Sequence, residues 1–300
     1  MAEAGVDRQA APVAPSFGLR WRYALSGLVF ALAYRLLRLR RSVIEQNLAR
    51  SFPQLDAAAR RVIRNEFITR QAQVLAEIDY ARTIDADEMR RRVTLVDRSG
   101  VLAGAGKFVL VTGHSCNFEW MLLRLSLDLG PGMMGIYKPM RGWGERYFRK
   151  LRGRFGAQLL PSKAIKEEMA RVREARVLGL VADQVPRTSP DRLWTRFLHQ
   201  DTAFFKGPER LARVLRAPIV YGSMRRRGPG QYEVEFEPLT AAGERLPGGT
   251  ATERYARILE RDINLDPAGW WWSHRRWKLP PPTNDAAQAG NAPTDDTARG

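Results

Sequence analysis

A chain of 300 residues with 44% apolar side chains is long enough to bury one substantial core. Its single cysteine, Cys116, excludes an internal disulfide framework and a Cys-based zinc centre, and three scattered histidines do not make a His-rich one, so neither a metal nor a cofactor is expected. With 49 Lys and Arg against 32 Asp and Glu, the net charge of +17 calls for an anionic partner: nucleic acid, an anionic bilayer or an acidic carrier protein.

Residues 1–16, rich in Ala and Pro, and residues 280–300, with almost no large apolar side chain, are expected to be disordered. Between them, an uncharged run from Tyr23 to Tyr34 is followed by Arg35, Arg38, Arg40 and Arg41. This run is shorter than the roughly 20 residues a helix needs to span a bilayer core. Residues 17–42 therefore read as an amphipathic helix lying in a membrane interface, with Trp21, Tyr23 and Tyr34 at headgroup level; a packed N-terminal helix with a solvated basic end is the alternative. Asp56 is placed to cap a helix running to about Ala81, with Ile63, Phe67, Val74 and Ile78 near helical spacing.

Strands and helices alternate from there. KFVLVTGH, MMGIY, VLGLVAD, APIVYGSM and QYEVEFE read as strands; NFEWMLLRLSLDL, WGERYFRKLRGRF and KGPERLARVLR read as helices, the last with Pro208 near its first turn. That order predicts an α/β fold, a mixed and largely parallel sheet flanked by helices, spanning 43–279 as one domain. FLHQDTAFFKGPE reads as a solvated loop, with substrate contact through His199 and Asp201 as the alternative. Basic residues are spread among apolar helices with no nucleic-acid reading motif, so nucleic acid is not the expected partner.

The segment VLVTGHSCNFEWML carries the chemistry. His114 directly follows a strand, and Glu119 lies in the first turn of the next helix. Within one continuous helix the two would point about 140° apart, but a strand-turn-helix junction lets them meet. The helix N-terminus favours the carboxylate, and a carboxylate beside a neutral imidazole is how a general base is held. Cys116 reads as a small turn residue rather than a nucleophile.

These residues resemble the lipid A late acyltransferases, within the wider lysophospholipid acyltransferase-like group, whose signature is a His, four residues, then Asp or Glu. The resemblance extends from about Leu19 to Lys278 through blocks in the family's order: NLARSFP at 47–53, YKP at 137–139, RGRFG at 152–156, ADQ at 182–184 and WWWSHRRWK at 270–278. It implies an O-acyltransferase with a His114/Glu119 general-base dyad, positive charge from Arg152, with Arg154 as the competing choice, and Asp183 organising the site. Asn117, Tyr137, Lys138, Gln184, His274, Arg275 and Arg276 are implied as substrate contacts. The implied donor is an acyl thioester of acyl carrier protein or coenzyme A. The implied acceptor is a lipid hydroxyl, of a lipid A precursor or of another lipid or a pigment-type molecule, at the cytoplasmic face of an inner membrane. A non-catalytic basic membrane scaffold is the rival from a different class.

Overall fold

The computed structural model describes residues 13–186, 189 and 191–280, so most of the two expected disordered ends lies outside the described residues. A seven-stranded sheet forms the centre: β1 (Val93–Val96), β2 (Phe108–Thr112), β3 (Met133–Tyr137), β4 (Gln158–Pro161), β5 (Val177–Val181), β8 (Ile219–Gly228) and β9 (Gln231–Pro238). Its strand order is β1-β9-β8-β2-β5-β3-β4. All neighbours pair in parallel except β8 with β9, so β9 and β1 run against the other five strands. The expected α/β class and the mixed, largely parallel sheet are what the structure has.

β2 is central because every residue in it is apolar or nearly so and buried on both faces, as a parallel sheet covered by helices requires. Val109 and Val111 face a core with Ile44 and Leu48 of α2 (Arg41–Ser51), Leu211 of α8 (Gly207–Leu215) and Leu259 of α9 (Thr250–Leu265). Phe108 and Leu110 face the opposite core, with Leu19 of α1 (Phe17–Phe30), Val74 and Ile78 of α3 (Ala57–Tyr80), Met89 of α4 (Ala86–Arg92) and Trp120 and Leu123 of α5 (Phe118–Leu129). Asp56 caps α3 as the sequence predicts, accepting from Ala59 N at 2.7 Å.

Three local expectations are corrected. FLHQDTAFF is not a solvated loop but a hairpin, β6 (Arg192–Phe197) with β7 (Gln200–Phe205), whose Phe197, Leu198 and Phe204 are buried. Its two-residue turn, Leu198-His199, has φ of +48° and +62°, a turn normally signalled by Asn-Gly, so the sequence hides it. Second, residues 17–42 are not one helix. α1 continues as a π-helical turn through Ala31–Leu36 and then breaks, with Arg38 and Arg40 in the left-handed region before α2.

Third, Tyr23 does not face outward. Its hydroxyl donates to Glu77 Oε1 at 2.7 Å, while Arg22 pairs with Asp79 at 2.9 Å, and α1 is thereby fastened along α3. Glu77 has no exposed surface, and burial pushes its carboxyl above the usual range. It nevertheless collects the Tyr23 and Tyr232 hydroxyls, the Asn117 amide and the Gly230 N–H, which satisfies a polar group that would otherwise be costly to bury. No helix among the described residues is long and apolar enough to cross a membrane.

Glu77→Ala would strand four buried donors at once. Unfolding free energy should then fall by about 3 kcal/mol or more, read by urea titration with α1 intact. A loss below about 1 kcal/mol would show that the four donors find other acceptors.

Candidate active site

β2 and β5 are neighbours with Thr112 in register with Val181, so the residues two places beyond each strand end, His114 and Asp183, emerge at the same level. The crevice outside the carboxyl ends of parallel strands is where α/β folds place their chemistry. Gly113 makes this approach possible: a Cβ there would lie 2.6 Å from Leu259 Cδ1 of α9.

Asp183 is 3% exposed and accepts three hydrogen bonds: from His114 N at 2.8 Å, from His114 Nδ1 at 2.5 Å and from Trp270 Nε1 at 2.8 Å. Burial alone would raise its pKa, but the neighbouring imidazole and these donors outweigh burial and hold the carboxyl well below its usual range. An ionised carboxylate can only accept, so in the neutral imidazole the His114 proton sits on Nδ1 and leaves the lone pair on Nε2. The Gln184 side-chain amide lies 3.2 Å from Nε2 and is suited to donate to it. Phe118 and Trp271 flank the ring, each centroid 5.0 Å from the imidazole centroid.

The turn after His114 is tight. Cys116 adopts φ +51° and donates its N–H to Gly269 O at 2.9 Å, and Ser115 bridges to Trp270. Burial, reinforced by the Asp266 carboxylate, pushes the Cys116 thiol up to about 12, which leaves it protonated at neutral pH and unsuited to attack.

Glu119 does not hold the imidazole. It sits in the first turn of α5, and its two oxygens take a forked pair of bonds from Arg152, Nε at 2.8 Å and Nη2 at 2.5 Å. Arg152 ends α6 (Trp143–Arg152) and stacks its guanidinium 5.7 Å from the Tyr137 ring centroid. The expected dyad is therefore replaced by two pairs, His114 with Asp183 and Glu119 with Arg152. Because β5 is the spatial neighbour of β2 although two strands intervene in sequence, the nearer carboxylate in space is the more distant one in the chain.

The remaining expected contacts divide. Arg154 donates to Ala81 O at 2.6 Å, so Arg152 is the arginine that meets Glu119. Asn117 is fully buried and spent: its Oδ1 caps α5 at Trp120 N, and its Nδ2 donates to Glu77. This corrects its assignment as a substrate contact. Arg276 is likewise buried, donating to Ala203 O and lying 4.7 Å over the Phe204 ring, where burial lowers its pKa to about 10. It is a packing cation, not an exposed lipid contact. Tyr137 donates to Glu145 Oε1 at 2.6 Å, while Lys138 and Arg275 are exposed. His274 is partly buried near Asp183 and His114.

Three contributors lie beyond the expected set. Trp270 supplies the third bond to Asp183. Asn47 donates to the carbonyls of Trp272 and His274, at 2.8 and 2.9 Å, and so clamps the segment that carries Trp270 and Trp271. Phe52 packs edge-on against Trp272 at 5.6 Å. The sequence signal for the clamp was the pair of blocks NLARSFP and WWWSHRRWK, which meet here.

Burial lowers the His274 pKa to about 4, so the folded form keeps the imidazole neutral. The unfolded chain takes up its proton near pH 6.5, so stability from this residue is complete above that pH and is lost as pH falls towards 4. His274→Asn should therefore narrow the gap between melting temperatures at pH 7.5 and pH 4.5, choices that lie on either side of the unfolded-state pKa. An unchanged gap in calorimetry would place the acid sensitivity elsewhere.

A search of the curated proteins returns no match. A family model described as bacterial lipid A biosynthesis acyltransferase matches residues 15–279, nearly the whole described chain. On that match the chain belongs to the bacterial lipid A biosynthesis acyltransferases.

Proposed function

We propose that the chain moves a fatty acyl group from the thioester of an acyl carrier protein, in preference to coenzyme A, onto a hydroxyl of a lipid A precursor at an anionic membrane surface. The observation that carries this reading is the imidazole fixed through Nδ1 by Asp183, with its Nε2 lone pair turned towards the Gln184 amide. That amide marks where an acceptor hydroxyl would donate.

In this reading the hydroxyl gives its proton to Nε2 while its oxygen attacks the thioester carbonyl carbon. Asp183 stabilises the imidazolium that forms. As the carbon–sulfur bond breaks, the thiolate leaves with the proton returned from Nε2. Arg152 uses Nε and Nη2 on Glu119, and Nη1 is the remaining arm, suited to polarise the carbonyl oxygen. Glu119 thus acts through Arg152.

Localisation at a membrane surface is supported by an exposed apolar stripe, and the proposed side, the cytoplasmic face of an inner membrane, follows from the proposed carrier-protein donor. Leu25, Leu28, Val29 and Leu32 recur at helical spacing on one side of α1 and its continuation, with exposed Arg38 and Arg40 beyond. Leu28→Ser with Leu32→Ser should cut co-sedimentation with phosphatidylglycerol vesicles several-fold without lowering the melting temperature, since neither side chain is buried. Unchanged sedimentation would place the lipid contact elsewhere.

For the chemistry, His114→Ala should lose about 10² to 10⁴ in acyl transfer, measured with radiolabelled acyl carrier protein and a lipid A precursor. Asp183→Asn should lose a comparable factor, because the amide can donate to Nδ1 and so favours the wrong tautomer. The double variant should be scarcely worse than either single one. Cys116→Ser should stay active; a dead Cys116 variant beside an active His114 variant would mean that transfer runs through a thiol and that this mechanism is wrong.

A further inference from the structure

Positive charge is concentrated in two stretches, residues 20–64 and residues 137–173. Residues 137–173 hold eleven Lys and Arg against three Glu, a net +8 of the chain's +17. They run from the end of β3 through α6 and the edge strand β4 into α7 (Met169–Glu174), at the end of the sheet away from β1. An open groove of about 570 Å³ runs there, walled by Arg146, Arg149 and Lys150 of α6 and by Arg171 of α7, over a floor of Ala157 and Leu159.

Three cations of α6 stand apart from Arg152, which Glu119 holds. Arg146, Arg149 and Lys150 make no ion pair among the described residues, unlike Arg41, which pairs with Glu45, or Arg124, which pairs with Asp128. Glu145, the one acid at the groove, is occupied by the Tyr137 hydroxyl and the Met140 N–H. Like charges gathered without counter-charges cost stability, so their use lies in an external anion.

We infer that this groove docks the acidic acyl carrier protein that delivers the acyl thioester, a proposal that rests on the function read above. The rim favours a protein over a lipid plane. Met140 and Trp143 are exposed where α6 begins, and Met, Trp and Arg are the side chains enriched in protein–protein interfaces. A concave, cation-walled groove suits the projecting carboxylates of an acidic helix, while the apolar stripe suited to lipid lies on α1. The location also fits delivery. Lys150 lies two residues before Arg152, so a carrier seated on α6 binds the same helix that presents the site's arginine to Glu119.

The test is direct binding of fluorescently labelled acyl carrier protein to the full chain, followed by anisotropy at low and moderate salt. Arg146→Glu, Arg149→Glu and Lys150→Glu combined should weaken binding at least about tenfold and flatten its salt dependence. Turnover with a short acyl-pantetheine thioester should stay within about twofold, since that donor needs no docking surface. The neutral set Arg146→Gln, Arg149→Gln and Lys150→Gln should give an intermediate loss and guards against misfolding of the reversed variant, with both melting curves compared.

Lys163→Glu, Lys166→Glu and Arg173→Glu make the same change in net charge outside the groove and should cost little. The proposal is overturned if carrier affinity survives in the groove variants, or if the second set weakens it equally, which would be a net-charge effect. It also falls if thioester turnover drops in parallel, or if anionic vesicle binding is lost while carrier binding remains, which would make the groove a lipid face. Carrier binding through the groove by a chain that transfers no acyl group from either donor would leave the docking intact and sink the function proposed above.

Discussion

The Asp183 carboxylate is the interaction on which the site depends. It lies beyond the end of β5, holds both the backbone and the ring of His114 beyond β2, and takes the Trp270 indole from the segment after α9. Three pieces of chain far apart in sequence therefore meet on two oxygens. Almost fully buried, the group is stable as a charge only because all three donors are present. Losing any one would leave a carboxylate with too few partners and an imidazole with a loosened tautomer.

The second polar centre, Glu77, performs a similar task for the frame. It ties α1, α5 and the β8–β9 turn to α3, and through Asn117 it reaches the cap of the helix that presents Glu119. The site is thus built from two layers: a carboxylate that orients the imidazole, and a deeper one that fixes the helix beside it. Arg152 closes the arrangement from α6, so that the ends of β2 and β5 and the helices α5 and α6 each contribute one side chain to it.

Much of this was legible in the sequence, for identifiable reasons. Of the five strands read from it, four carry apolar runs and β9 alternates Tyr232, Val234 and Phe236 with glutamates, while α3, α5, α6 and α8 carry caps or clear periodicity. β1 and β4 have four residues each and no distinctive pattern. α9 lies outside the elements read from the sequence although its buried Ala251, Tyr255, Ile258, Leu259 and Ile263 follow helical spacing. Partner choice within the site was the harder problem. His114, Asp183, Glu119 and Arg152 could all be named, but which carboxylate meets the imidazole depends on strand order, and strand order is a property of the sheet rather than of local sequence.

The clamp by which Asn47 holds the carbonyls of Trp272 and His274 has a bearing on synthesis. Asp183 gains its third donor, and His114 one of its two flanking rings, only when residues 270–274 fold back onto α2. That segment follows every helix and strand of the domain in sequence. A ribosome-bound chain would thus hold a nearly complete sheet and both members of the His–Asp pair while the wall around them was still missing. The polar arrangement around His114 is therefore completed late, by the strap that residues 270–274 form.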